Sequence, residues 1–163
     1  MNAKRQFFIS SLVLIFPLTF MFNSCLNKNS QSEIQKFTNS VWNRFDIPEF
    51  SIQVDNANQP YDIFVLFSHS DKYPNTYIDM NISFIMPDGG VRSRDYLFDL
   101  KNKEGNWLSA RKDGQFEIEL PVIRGMMFSE TGIYRLRIEN KLTKFNTPEI
   151  FYVGYVLKES PKQ

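Results

Sequence analysis

The chain has one cysteine, Cys25, and one histidine, His69, in 163 residues. A disulfide framework needs cysteines in pairs, and a zinc site needs three or four Cys, His or acidic ligands. A disulfide within the chain is excluded, and with one cysteine and one histidine a zinc site is disfavoured. The formal charge is +1, from 19 basic and 18 acidic residues. No basic stripe breaks that balance, so no nucleic acid partner is expected. No long run carries a helical period, no internal repeat appears, and no serine sits in a nucleophile elbow. The spacing of Asp71, Asp79, Asp88, Asp95 and Asp99 does not fit an EF-hand loop. Metal, cofactor and catalytic residues are all read as none.

What is present begins at the N-terminus. Lys4 and Arg5 precede an uncharged, mostly apolar run from Phe7 to Phe22, then Asn23, Ser24 and Cys25. The run contains Ser10, Ser11, Pro17 and Thr19 and is short for a membrane span of about 20 apolar residues. A basic start, an apolar centre and a small residue before a cysteine read as a bacterial lipoprotein signal, residues 1–24. The alternatives are an uncleaved signal anchor and a plain secreted protein. On the lipoprotein reading Cys25 carries the lipid and becomes the first mature residue. Each buried methylene contributes about 0.8 kcal/mol, and two or three acyl chains hold far more firmly than one. Without Lys4 and Arg5 the 139 mature residues carry 17 basic and 18 acidic side chains, a formal charge of −1. Residues 25–36 lack apolar periodicity and read as a polar tether.

The remainder, residues 37–160, reads as one domain. Aromatics are plentiful, with 16 Phe, 7 Tyr and 2 Trp. Many alternate with polar residues at period two, the mark of half-buried strands. Phe50, Ile52 and Val54 form one such set. Ile78, Met80, Ile82 and Phe84 form another, and Tyr134, Leu136 and Ile138 a third. Tyr61 to Phe67 is apolar on both faces, as for a central strand. Pro87-Asp88-Gly89-Gly90 marks a hairpin turn. Pro121 is expected to end the strand through Phe116, Ile118 and Leu120, and residues 123–129 read as ambiguous, with room for a helical turn. The whole predicts an all-β protein: an antiparallel sandwich of seven or eight strands, Ig-like or jelly-roll-like.

Three features invite a functional reading. His69 falls in a loop-like stretch and reads as a solvated histidine. Glu117 and Glu119 read as the outward half of an alternating strand. Residues 101–114 form the longest irregular segment, and long loops often carry function. Trp107 and Arg111 in it are the candidate partner-binding residues. The competing reading of Trp107 is a ring that folds its own loop onto the sandwich edge.

The ordered features resemble the gliding-motility lipoprotein family GldH of Bacteroidota. The resemblance rests on Cys25, Trp42-x-x-Phe45-Asp46, Tyr61, Tyr73-Pro74, Pro87-Asp88-Gly89, Asp99-Leu100, Gly105-x-Trp107, Gly132-x-Tyr134 and Gly154. It covers nearly the whole mature chain. Leu108-Ser109-Ala110-Arg111 departs from the family, which tends to be glycine-rich there, and residues 140–148 also diverge. The resemblance implies a non-enzymatic envelope component of the gliding apparatus and supplies no catalytic residue. Expected partners are the membrane, through lipid on Cys25, and other gliding or secretion envelope proteins, with no small-molecule ligand. Bacteroidota lipoproteins sent to the cell surface often carry an acidic stretch just after the cysteine; residues 26–30 carry no acid, so the domain is expected to face the periplasm, by default from the outer membrane. The alternative function is a sandwich module that binds glycans or envelope proteins.

Overall fold

The computed structural model describes residues 30–161; the signal segment and Cys25 lie outside them. Eleven strands occur among the described residues: β1 Ser30–Lys36, β2 Val41–Asn43, β3 Glu49–Val54, β4 Pro60–His69, β5 Tyr77–Ile85, β6 Val91–Asp99, β7 Ala110–Lys112, β8 Gln115–Met127, β9 Gly132–Asn140, β10 Asn146–Pro148 and β11 Ile150–Glu159. Eight of these are six residues or longer. The other three, β2, β7 and β10, have three residues each. The expected seven or eight strands are therefore the long ones, and the short ones escaped a search for alternation because three residues show no period.

Two antiparallel sheets face each other, ordered β1-β11-β4-β8-β7 and β3-β9-β5-β6, with a small β10-β2 ribbon at one end. Among the eight long strands, the first pairs with the last, the second with the seventh, the third with the sixth and the fourth with the fifth. That nesting is the jelly-roll connectivity, with two Greek keys. Of the two sandwich types expected, the pairing selects this one.

The predicted inward faces are observed. Phe50, Ile52 and Val54 of β3, Ile78, Met80 and Ile82 of β5, and Tyr134, Leu136 and Ile138 of β9 are buried in one core. They meet Ile63, Val65 and Phe67 of β4 and Val153, Tyr155 and Leu157 of β11. The Met86–Gly90 turn closes with Gly89 N–H donating to the Met86 carbonyl at 2.9 Å, and Gly89 takes φ +88°. Such a φ suits glycine.

Two local expectations are corrected. The polar stretch from Ser30 to Lys36 is strand β1, paired along its length with β11. Most of its side chains are exposed, so backbone hydrogen bonds hold it and no apolar pattern announces it. Gly154 makes the pairing fit: a Cβ there would collide with the Glu33 carbonyl oxygen. The other correction concerns Pro121. β8 runs through it to Met127, with register shifts against β4 nearby, and no helical turn forms at 123–129. β7 covers β8 only at Gln115–Glu117, so beyond that β8 is an edge, where a missing N–H is tolerated.

Candidate functional site

At one end of the sandwich β4 finishes at His69, which is fully buried and not the solvated loop residue its neighbours suggested. The loop that follows β6 folds over it. Leu108 N–H donates to the Leu100 carbonyl at 2.8 Å, Lys101 and Trp107 form an isolated bridge, and the Asn102 side chain accepts from the Glu104 and Asn106 amides. The segment expected to be irregular is thus a small hairpin, and its closure aims Trp107 at the core. The Trp107 ring lies 4.5 Å from His69, 6.1 Å from Phe116 and 6.3 Å from Tyr73, between centroids. Lys101 Nζ sits 4.0 Å from its centre. Arg111, on β7, is exposed and is paired in register with Phe116, whose ring neighbours Trp107.

The histidine's roles follow from its partners. Nδ1 is 2.7 Å from the Ser70 carbonyl, which can only accept, so Nδ1 carries the proton. Nε2 then accepts from the Ser109 hydroxyl at 2.9 Å. Burial pushes the His69 pKa below its usual value; the Lys101 ammonium acts the same way and the Ser70 carbonyl opposes them. A Ser-His contact can activate a nucleophile, but such a base is normally oriented by a third group and reachable by substrate. Here the third group is a neutral carbonyl, His69 is fully buried and Ser109 nearly so. The pair acts as a satisfied polar contact inside an aromatic cluster. Among the described residues no buried side-chain nitrogen or oxygen lacks a hydrogen-bond partner.

Glu117 turns out to be half-buried rather than simply outward. It accepts a short hydrogen bond from the Tyr152 hydroxyl and pairs with Lys112. Burial first, and the Glu117 contact next, push the Tyr152 pKa up to about 12. Glu119 is exposed and pairs with Lys158. Among the described residues no group of three His, Cys, Asp or Glu stands close enough to hold a metal.

A family model described as GldH lipoprotein matches residues 29–157. The chain belongs to the GldH lipoprotein family. No curated protein matches it. Two solved structures are similar at a distance. One is a carbohydrate-binding module, CBM28, specific for non-crystalline cellulose, with TM-score 0.36 and 12% identity over 79% of this chain and 70% of that one. The other is infectious bursal disease virus, Gx strain, with TM-score 0.29 and 12% identity over 83% of this chain and 35% of that one. Likeness this faint bears no functional weight.

The GldH-like residues have visible structural work. Trp42 is fully buried, stacks on Phe37 at 5.0 Å and donates from Nε1 to the Asp46 carbonyl at 2.8 Å. Tyr73 packs edge-on to Phe67. Gly132 leaves Pro87 room, since a Cβ would come within 3.3 Å of that ring. These residues build the sandwich and its turns. Two features went unseen in the sequence. Phe45 and Phe145 form an exposed edge-to-face pair at 5.2 Å beside the β2-β10 ribbon, joined across 100 residues of chain. Arg92 and Arg94 share a sheet face with core residues. Neither shows in a linear pattern, because the partner residues come from other strands.

Proposed function

We propose that this GldH-family chain is a non-enzymatic, membrane-anchored component or assembly factor of the gliding-motility machinery, held by lipid on Cys25. The family match over residues 29–157 carries the reading. The shape of the domain supports it. β1 begins at Ser30, five residues after Cys25, and five residues of extended chain span at most roughly 18 Å. An anchor there keeps the Ser30 end of the sandwich near the bilayer and presents the His69–Trp107 end to the envelope space. Exposed Arg111, with the solvent-facing part of the half-buried Trp107 ring, is the proposed partner contact at that far end. The periplasmic side of the outer membrane is the proposed location, because residues 26–30, just after Cys25, carry no acid.

A clean deletion is expected to abolish cell spreading, and cross-linking with the tagged chain is expected to capture other envelope motility proteins. Unimpaired spreading after deletion would sink the proposal. Replacing Cys25 with Ala is expected to move the protein from the membrane to the soluble fraction. Retention in the membrane would remove the lipid from the account.

A further inference from the structure

The flank of the sandwich formed by β6 and β8 is built differently from the rest of the surface. β6 is the last strand of its sheet. Leu100 N–H bonds to the Thr76 carbonyl, and Met86 N–H to the Gly90 carbonyl. These two contacts fix the phase of the β5-β6 ladder: the even-numbered residues of β6 exchange hydrogen bonds with β5. The backbone groups of Val91, Ser93, Asp95, Leu97 and Asp99 therefore point off the free edge.

The even-numbered side chains face inward. Arg92 stands opposite Phe84 and Arg94 opposite Ile82, two core residues. Both arginines remain exposed to solvent, Arg94 lies 5.3 Å from the Tyr96 ring centre, and neither forms an ion pair with a described residue. Arg92 lines a cleft of about 490 Å³ between the two sheets, and both arginines line an adjoining hollow of about 200 Å³. The walls of the cleft include Phe84, Ile123, Met86, Met126 and Met127, and no carboxylate. Methionine side chains adapt to varied apolar surfaces and recur at binding faces.

We propose that β6 takes up an extended, acidic segment of a partner protein, added as a further strand beside it. The segment's carboxylates would reach Arg92 and Arg94, and its apolar residues Tyr96 and Phe98. The proposal goes beyond the Trp107–Arg111 contacts given above, on a separate surface, and names the chemistry of the partner that surface would take. Main-chain bonds supply affinity in such additions, and alternate side chains supply selectivity. Inward-pointing charges on an edge strand also oppose careless pairing. Another copy of this chain, added antiparallel with the same faces aligned, brings arginine against arginine or an aromatic ring, with no acid between them. An acidic strand neutralises both charges, so the same two residues exclude one occupant and admit the other.

The test uses the full-length lipidated chain in detergent and a fluorescent nine-residue probe, Thr-Val-Thr-Val-Thr-Glu-Thr-Glu-Thr. Saturable binding is expected by anisotropy, at least about tenfold weaker when both Glu are Gln, a loss of about 1.4 kcal/mol or more. Arg92→Gln with Arg94→Gln is expected to give the same loss. Ser93→Pro removes an outward N–H and leaves the β5 ladder intact; it too is expected to weaken binding at least about tenfold. No binding by the wild-type chain overturns the proposal. Loss in the arginine variant without loss in Ser93→Pro also overturns it, and assigns the cleft to an anionic amphiphile such as a lipid. Self-association through β6, seen as dimers that Ser93→Pro dissolves, overturns it in favour of another copy of the chain. None of these results depends on the deletion phenotype, so this proposal and the motility role fail separately.

Discussion

At the His69 end, a histidine, a serine and the rings of Phe67, Tyr73, Trp107 and Phe116 share one packed cluster. Along β6, two arginines face the interior of the same sandwich and meet no carboxylate among the described residues. The His69 cluster has the outline of chemistry and is architecture, because each polar atom is spoken for inside the chain. The β6 flank has the outline of ordinary strand surface, yet its arginines meet no carboxylate of the chain and its outward backbone groups face solvent rather than a neighbouring strand. Buried polar groups contribute to stability when they are paired, and an unpaired one costs free energy. At the exposed β6 edge water satisfies the corresponding groups, so they stay available to a strand of complementary charge.

The two regions should part most widely under truncation. Phe67→Ala, in the fully buried cluster, is expected to cost about 3–5 kcal/mol by urea denaturation. A loss below about 1 kcal/mol would show that the His69 end is not the packed region described. Next in size, Gly154→Ala sets the covered edge of the sandwich against the open one. The new methyl group collides with β1, so a loss of about 1–3 kcal/mol is expected, with faster hydrogen exchange confined to Ser30–Lys36. Unchanged exchange in β1 would mean that the β1-β11 pairing absorbs the methyl group.

The third contrast is one of pH. The His69 pKa is lowered in the folded chain, so the unfolded chain binds more protons as the pH falls below about 6.5. Stability from the neutral ring is fully present above that pH and is lost on the way down toward the folded value. Between about pH 7.5 and about pH 5, the wild type should lose more stability than His69→Gln. Parallel curves would mean that His69 titrates normally and is not sealed in. Smallest of all, Arg92→Gln with Arg94→Gln should shift stability by less than about 0.5 kcal/mol, because both are exposed, no ion pair is removed and only the contact of Arg94 with the Tyr96 ring is lost. A large loss would show that the arginines serve the fold and would blunt the contrast.

Much of this was legible beforehand, for reasons that differ between residues. Alternation in β3, β5 and β9 reports directly which side chains turn inward, so those faces were readable. The Pro87–Gly90 turn was readable because its dihedral demands select its residues. β1 was not, since its seven residues are nearly all polar and it is held by backbone bonds to a strand about 120 residues later. His69 was not, because its burial is the work of a loop some 38 residues away whose hairpin closes on Asn102. Trp107 stands out in the sequence as the aromatic residue of that loop, but its neighbours are visible only in three dimensions.

By itself, then, the sequence determined the strand class, the inward faces, the family and the cysteine that reads as an anchor. These follow from local chemistry: period-two alternation, turn residues and the order of charge and apolarity near the N-terminus. Only the tertiary structure decided that the strands nest as a jelly roll, that β1 belongs to the domain, that His69 is sealed and that Arg92 and Arg94 stand unpaired over an open cleft. Each of those depends on which distant strand lies beside which. Backbone hydrogen bonds are alike for every residue except proline, so the side-chain pattern along one strand does not name its partner.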